Sequence, residues 1–109
     1  MPRYLTRFSY TPETWAMMIA QPEDRRKAAA ACIESVRGTL HRFWDSFGEH
    51  DGINLGEAPE NVSMAAVALA IGGGALSSIE TTALLTVEET FEALARAQSV
   101  GYRAPGATA

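Results

Sequence analysis

The chain has 109 residues, a net charge of −4 and a single cysteine, with 47% hydrophobic and 20% charged residues. That length suits one domain and leaves no room for two full cores. The acidic balance speaks against a nucleic-acid backbone or an anionic membrane as partner, and the composition is far from that of a disordered chain.

With Cys32 alone, no disulfide forms within the chain and a zinc site built from two or four thiolates is excluded. The opening segment, Met-Pro-Arg-Tyr-Leu-Thr-Arg-Phe, lacks a basic stretch followed by an apolar run, so no secretory signal is expected. The longest nearly apolar stretch, Met64 to Leu76, contains consecutive glycines and falls short of the roughly 20 apolar residues that cross a bilayer. The expectation is a soluble cytoplasmic protein.

Arg3 to Tyr10 is rich in Tyr, Phe and Thr and reads as a first strand, closed by Thr11-Pro12. A short helix follows to Ala20, because Thr11 can cap it, Pro12 fits its first position and Glu13 suits the positive end of its dipole. Pro22 interrupts it. From Glu23-Asp24, Ala29, Cys32, Ile33 and Val36 recur at helical spacing opposite Arg25, Arg26, Glu34 and Arg37, and Gly38 stops this second helical run.

Thr39 to Phe47 carries Leu40, Phe43, Trp44 and Phe47 and reads as an aromatic-rich strand. The segment Gly48-Glu49-His50-Asp51-Gly52 is a hairpin turn. Ile53 to Ala58 is a third strand, with Ile53 and Leu55 on one face and Asn54 and Gly56 on the other. Pro59-Glu60-Asn61 opens a helix in which Met64, Val67, Ala68 and Ile71 form the apolar stripe, and Gly72-Gly73-Gly74 ends it. Ala75 to Leu85 reads as a fourth strand. Thr86 with Glu89 makes a capping box for a last helix with a narrow apolar stripe of Val87, Phe91 and Leu94.

This order defines an α+β chain of the ferredoxin-like, split βαβ type: a four-stranded antiparallel sheet with an extra C-terminal helix. The domain spans residues 1–98, and residues 99–109 form a tail or arm. Helices cover one face of such a sheet, and the other meets water, a ligand or a second subunit.

Pro2-x-Tyr4 and Tyr10-Thr11-Pro12-Glu13 bracket the first strand, and Phe43 to Phe47 runs into Gly48-Glu49-His50-Asp51. Glu57-Ala58-Pro59 precedes the second long helix, and Thr81-Thr82 with Leu84-Leu85-Thr86 precedes the last. In order and spacing these features resemble the GYD domain family, named for a Gly-x-Tyr-Asp-type motif at the second hairpin. The glycine and aspartate of that motif are present, while its tyrosine is His50 here. The resemblance implies a ferredoxin-like fold that associates into dimers or larger assemblies, related in shape to the dimeric α/β barrels. Members of that barrel group include cofactor-independent monooxygenases and haem enzymes, an analogy at the level of fold.

His50 and Asp51 are the candidate catalytic pair, a general base with an orienting carboxylate. Neighbours on an extended chain point apart, however, and the simpler role for Asp51 is to accept backbone N–H groups within the turn. His41 and Asp45 lie about 13 Å apart at roughly 3.3 Å per residue, too far to share a metal ion, and Glu49 and His50 add no preorganised ligand spacing. No metal and no cofactor are expected. Gly72-Gly73-Gly74 follows a helix and precedes a strand, the reverse of a phosphate-cradling loop. Cys32 reads as core, Trp15, Met17 and Met18 as packing or a lid over a pocket, and Arg25-Arg26-Lys27 as a solvated helix face.

The exposed sheet face is the expected functional surface. With Phe8, Phe43, Phe47, Ile53 and Leu55 beneath the helices, alternation puts Arg7, Ser9, Trp44, Ser46 and Asn54 on the opposite face. Of these, Arg7, Ser9, Trp44 and Asn54 are the candidate ligand-binding residues, with Arg7 as charge partner and Trp44 as apolar wall. The expected partners are a second copy of the chain and a small molecule, with neither nucleic acid nor membrane. The function expected is a ligand-binding or accessory module assembled through that face. The alternative is a cofactor-independent enzyme acting on a small aromatic or carbonyl substrate with His50 as base.

Overall fold

A computed structural model describes residues 1–106, so residues 107–109 of the expected tail lie outside the described part. Strand β1 (Arg3–Tyr10) alternates strictly, with Tyr4, Thr6, Phe8 and Tyr10 buried. Helix α1 (Pro12–Ala20) starts as its sequence dictates: the Thr11 hydroxyl accepts the Thr14 N–H at 3.1 Å, and Pro12 occupies the first turn. Helix α2 (Arg26–Glu34) begins where Asp24 Oδ1 accepts the Arg26 N–H at 3.0 Å.

The α2 helix ends before Val36, earlier than its apolar stripe suggests. Arg37 takes the left-handed conformation, at φ 65°. Gly38 serves close approach instead, because a Cβ there would stand 2.3 Å from the Glu57 carbonyl oxygen.

Strand β2 (Thr39–Asp45), strand β3 (Gly52–Glu57), helix α3 (Asn61–Gly72), strand β4 (Leu76–Leu84) and helix α4 (Val87–Ala97) complete the described chain. The four strands form one antiparallel sheet in the order β2-β3-β1-β4. This is the expected ferredoxin-like arrangement, with α4 as the additional helix. Tyr4, Ile33, Ala58, Met64 and Val67 form the core, with Cys32, Val36, Leu40 and Ile71 packed against it. The Tyr4 hydroxyl donates to Asn61 Oδ1 at 2.6 Å, tying β1 to the first turn of α3.

Phe8 and Phe43 lie under the helices as expected, but strand β3 is turned over. Asn54 is buried beneath the helices, 8% exposed, beside Thr6 on β1, and is not on the open face. Ile53 and Leu55 therefore point to the open face. Gly52 and Gly56 share the Asn54 side, where space is short: a Cβ on Gly52 would lie 2.3 Å from Phe8 Cζ, and one on Gly56 would lie 3.2 Å from Ile33 Cδ1. Large side chains from β1 and α2 fill that side, so β3 sends its branched residues outward. Phe47, expected in the core, lies beyond β2 and is fully exposed.

The open face is built in cross-strand rows. Trp44, Ile53, Arg7 and Glu80 stand in one row, and Arg42, Leu55, Leu5 and Thr82 in the next. Leu5, Leu55, Ile53 and Trp44 make its apolar part, with Arg7 on the central strand β1 and Arg42 and Glu80 on the edge strands. No helix among the described residues is long and apolar enough to cross a membrane.

Candidate ligand-binding cleft

A concave surface lies on the helix side of the sheet. Aromatics of β2, β1 and α1 form a ladder there: Phe43 to Phe8 at 5.7 Å between ring centroids, Phe8 to Tyr10 at 5.5 Å, and Tyr10 to Trp15 at 5.1 Å. The last two contacts are edge-to-face, a favourable arrangement of ring quadrupoles. Strand alternation sets Phe8 and Tyr10 on the same face, while α1 brings Trp15 over the end of β1.

The cleft has an outer and an inner chamber. The outer one, about 560 Å³, is bounded by Trp15 and Met18 of α1, the Pro22–Arg26 elbow, and Asp45 to Phe47 after β2. The inner one, about 80 Å³, runs between the sheet and the helices past Phe8, Thr6, Asn54, Cys32 and Ile79. Tyr10, Arg25 and Phe43 line both and form the throat. The outer chamber is roomy enough for a small organic molecule, and beyond the throat Thr6 and Asn54 supply buried polar groups to the inner chamber.

The charges around the mouth are largely paired. Arg25 Nη1 lies 2.7 Å from Glu23 Oε1, and Arg26 Nη2 lies 2.7 Å from Asp24 Oδ2. Hydrogen bonds from the Arg26 side chain and backbone hold the Asp24 carboxyl down at about 2, so it stays ionised. Burial pushes the Tyr10 phenol up. The nearby Arg25 guanidinium works against that shift, and the Asp45 and Asp51 carboxylates reinforce it. Tyr10 is therefore a neutral hydroxyl at physiological pH, able to donate or accept a hydrogen bond at the throat.

Asp51 is a structural clamp on this cleft. Its Oδ2 accepts the Tyr10 backbone N–H at 2.9 Å and the Trp15 indole N–H at 3.2 Å. Its own N–H donates to the Phe8 carbonyl at 2.8 Å, and its carbonyl accepts the Ser46 N–H at 2.9 Å. The hairpin loop, β1 and α1 are thus fixed to one another through a single residue.

His50 faces another way. Its Nε2 lies 3.3 Å from Glu80 Oε2 on the edge strand, and its Nδ1 is enclosed without a hydrogen-bond partner among the described residues. The structure does not bring the His50 imidazole and the Asp51 carboxylate together, because consecutive residues leave the turn toward different partners. Glu80, opposite Arg7 in the register, is the carboxylate that stands beside the imidazole.

The remaining candidates divide between the two faces. Arg7, Ser9 and Trp44 lie on the open face, with the Ser9 hydroxyl directed at the Glu49 carbonyl and Trp44 51% exposed. Asn54 lies on the opposite side, inside the inner chamber, so these residues do not form one pocket. The throat of Tyr10, Arg25 and Phe43 was not expected from the sequence, where Arg25 read as part of a solvated helix face. The alternation of Thr6, Phe8 and Tyr10 signalled an aromatic inner face, but nothing local reported that the α1–α2 elbow would close over it.

A four-stranded antiparallel sheet in this order, with helices on one side and a cleft between the layers, defines a ferredoxin-like α+β domain. The chain belongs to the GYD domain family, whose model matches residues 4–94. Among solved structures it is similar in fold to MtbAldR, with a TM-score of 0.56 and 10% sequence identity over 78% of this chain and 52% of that one. The chain spans about half the length of that structure. No curated protein matches it significantly in sequence.

Proposed function

We propose that this GYD domain is a self-associating module that binds a small, uncharged aromatic molecule in the helix-side cleft and assembles through its open sheet face. The observation that carries this reading is the separation of the two surfaces. The concave, aromatic-lined space lies wholly on the helix side, while Leu5, Ile53, Leu55 and Trp44 stand on the opposite face of the same strands. Assembly through one face therefore leaves the other free for a ligand.

The preference for a neutral ligand follows from charge. Arg25 and Arg26 are paired with Glu23 and Asp24, and Asp45 adds a negative charge at the mouth, so among the described residues an anion gains no free cation there. Ring faces favour a flat apolar body, and Asn54 and Thr6 provide for one polar substituent at the inner end. Titration with phenol, indole, benzamide and benzoate, followed by NMR, tests this. The expected result is saturable shifts of the Trp15 indole N–H and the Asn54 side-chain amide with the three neutral compounds, and weaker ones with benzoate. Shifts confined to Trp44 and Arg7, or none at saturating probe, contradict it.

A second reading, a cofactor-independent enzyme with His50 as base, draws support from the carboxylate of Glu80 beside the imidazole. Under that reading the protein exchanges an acidic C–H of a small carbonyl compound with solvent. Incubation with a panel of such compounds in D2O, read by NMR, is expected to show exchange that His50→Ala abolishes while assembly is unchanged. The absence of exchange with the unaltered protein removes this reading.

A further inference from the structure

Helix α4 is fully formed, yet nothing among the described residues buries it. Its N-terminus carries a complete capping box, with the Thr86 hydroxyl accepting the Glu89 N–H at 3.0 Å and the Glu89 carboxylate accepting the Thr86 N–H at 2.9 Å. None of its residues is buried, and the stripe of Val87, Phe91 and Leu94 is 78%, 74% and 63% exposed. An isolated helix of 11 residues is marginal in water even with good caps, because nucleation costs more than so few hydrogen bonds return. A helix with one apolar stripe and one polar face takes its stability from the surface that covers the stripe.

The shape of the chain points the same way. Its radius of gyration is 18.0 Å and its longest dimension 63 Å, whereas a compact domain of about 100 residues has a radius near 13 Å. Only Leu85 and Thr86 separate α4 from the edge strand β4, and the helix leaves the body there.

We infer that α4 lies across the open sheet face of a second copy, in a reciprocal two-fold exchange. This rests on the proposed assembly through that face and says what fills it. Size fits: at about 1.5 Å per residue α4 is roughly 16 Å long, and four strands spaced about 4.8 Å apart span roughly 14 Å. Chemistry fits as well. The face offers Leu5, Leu55, Ile53 and Trp44 between Arg3, Arg7 and Arg42, with Glu57 and Glu80 as its acids. Helix α4 brings Val87, Phe91 and Leu94 with Glu88, Glu89 and Glu92 against Arg96 alone. An acidic amphipathic helix thus meets an apolar face with a basic surplus. A two-fold axis makes the contact twice, giving the self-complementary closure expected of a homodimer.

Cysteine cross-linking tests the placement. In a Cys32→Ala background, chains carrying Phe91→Cys are mixed with chains carrying Leu55→Cys and oxidised mildly, alongside a chain carrying both substitutions. The expected result is a cross-linked dimer in the mixture, far in excess of either variant alone, and intermolecular linkage in the doubly substituted chain. In parallel, Phe91→Asp with Leu94→Asp, both exposed and so harmless to the fold of a single copy, is expected to weaken self-association at least a hundredfold. An intramolecular link overturns the exchange. Leu55→Cys chains linking to each other, with the aspartate variant still dimeric, also overturn it while leaving assembly through the open face standing. A monomer throughout overturns both.

Discussion

Replacing Phe8 by alanine is expected to cost about 3–5 kcal/mol of stability, the usual range for a buried phenylalanine whose cavity cannot collapse. The ring is 4% exposed and sits between Tyr10 and Phe43, with the backbone of Gly52 against its tip. Gly52 has no side chain to move into the void, and its neighbours are held by the β1–β3 ladder. The loss also removes the middle of the aromatic ladder, so Phe43 and Tyr10 lose the surface that sets the throat. Urea unfolding of the variant and the unaltered protein measures the effect. A loss below about 1 kcal/mol contradicts the packing described, because even partial relaxation of such a site leaves more than that.

Leu55→Asp is expected to leave each copy folded and to separate the copies. Leu55 lies on β3 facing away from the helices, between Arg42 on β2 and Leu5 on β1, so its replacement opens no cavity in the core. In an assembled seam the same position buries a carboxylate between Leu5 and Arg42 in place of an apolar side chain, and taking that charge out of water costs several kcal/mol that one neighbouring arginine does not fully offset. A loss of at least about a hundredfold in self-affinity follows, since each 1.4 kcal/mol is a factor of ten. Circular dichroism of the variant should match that of the unaltered protein while light scattering reports the smaller particle. An unchanged mass would show that the seam lies elsewhere.

What the sequence disclosed and what it hid follow from the range of the interactions involved. The capping box of Thr86 and Glu89, the Thr11-Pro12 start of α1 and the alternation of Phe8 against Arg7 depend on neighbours within a few residues, and all appear where the pattern places them. The side taken by β3 depends on Phe8 and Ile33 filling the space over Gly52 and Gly56, a competition between distant segments that apolar size alone misjudges. A one-residue inversion then moved Asn54 from the open face to the inner chamber. The cleft was legible only as a lid at Trp15, Met17 and Met18: Trp15 on α1, Arg25 in the elbow and Phe43 on β2 meet only when the α1–α2 elbow folds over the end of β2. The turn that bears His50 and Asp51 was legible as a turn, but whether its side chains meet was decided by Tyr10, Trp15 and Glu80, none of them adjacent in sequence.

Sedimentation velocity across a hundredfold range of protein concentration tests directly whether the open face is a seam between copies. A particle of about twice the 11.7 kDa chain mass or larger, persisting on dilution, is the predicted result. A single species of 11.7 kDa at the highest concentration would contradict it.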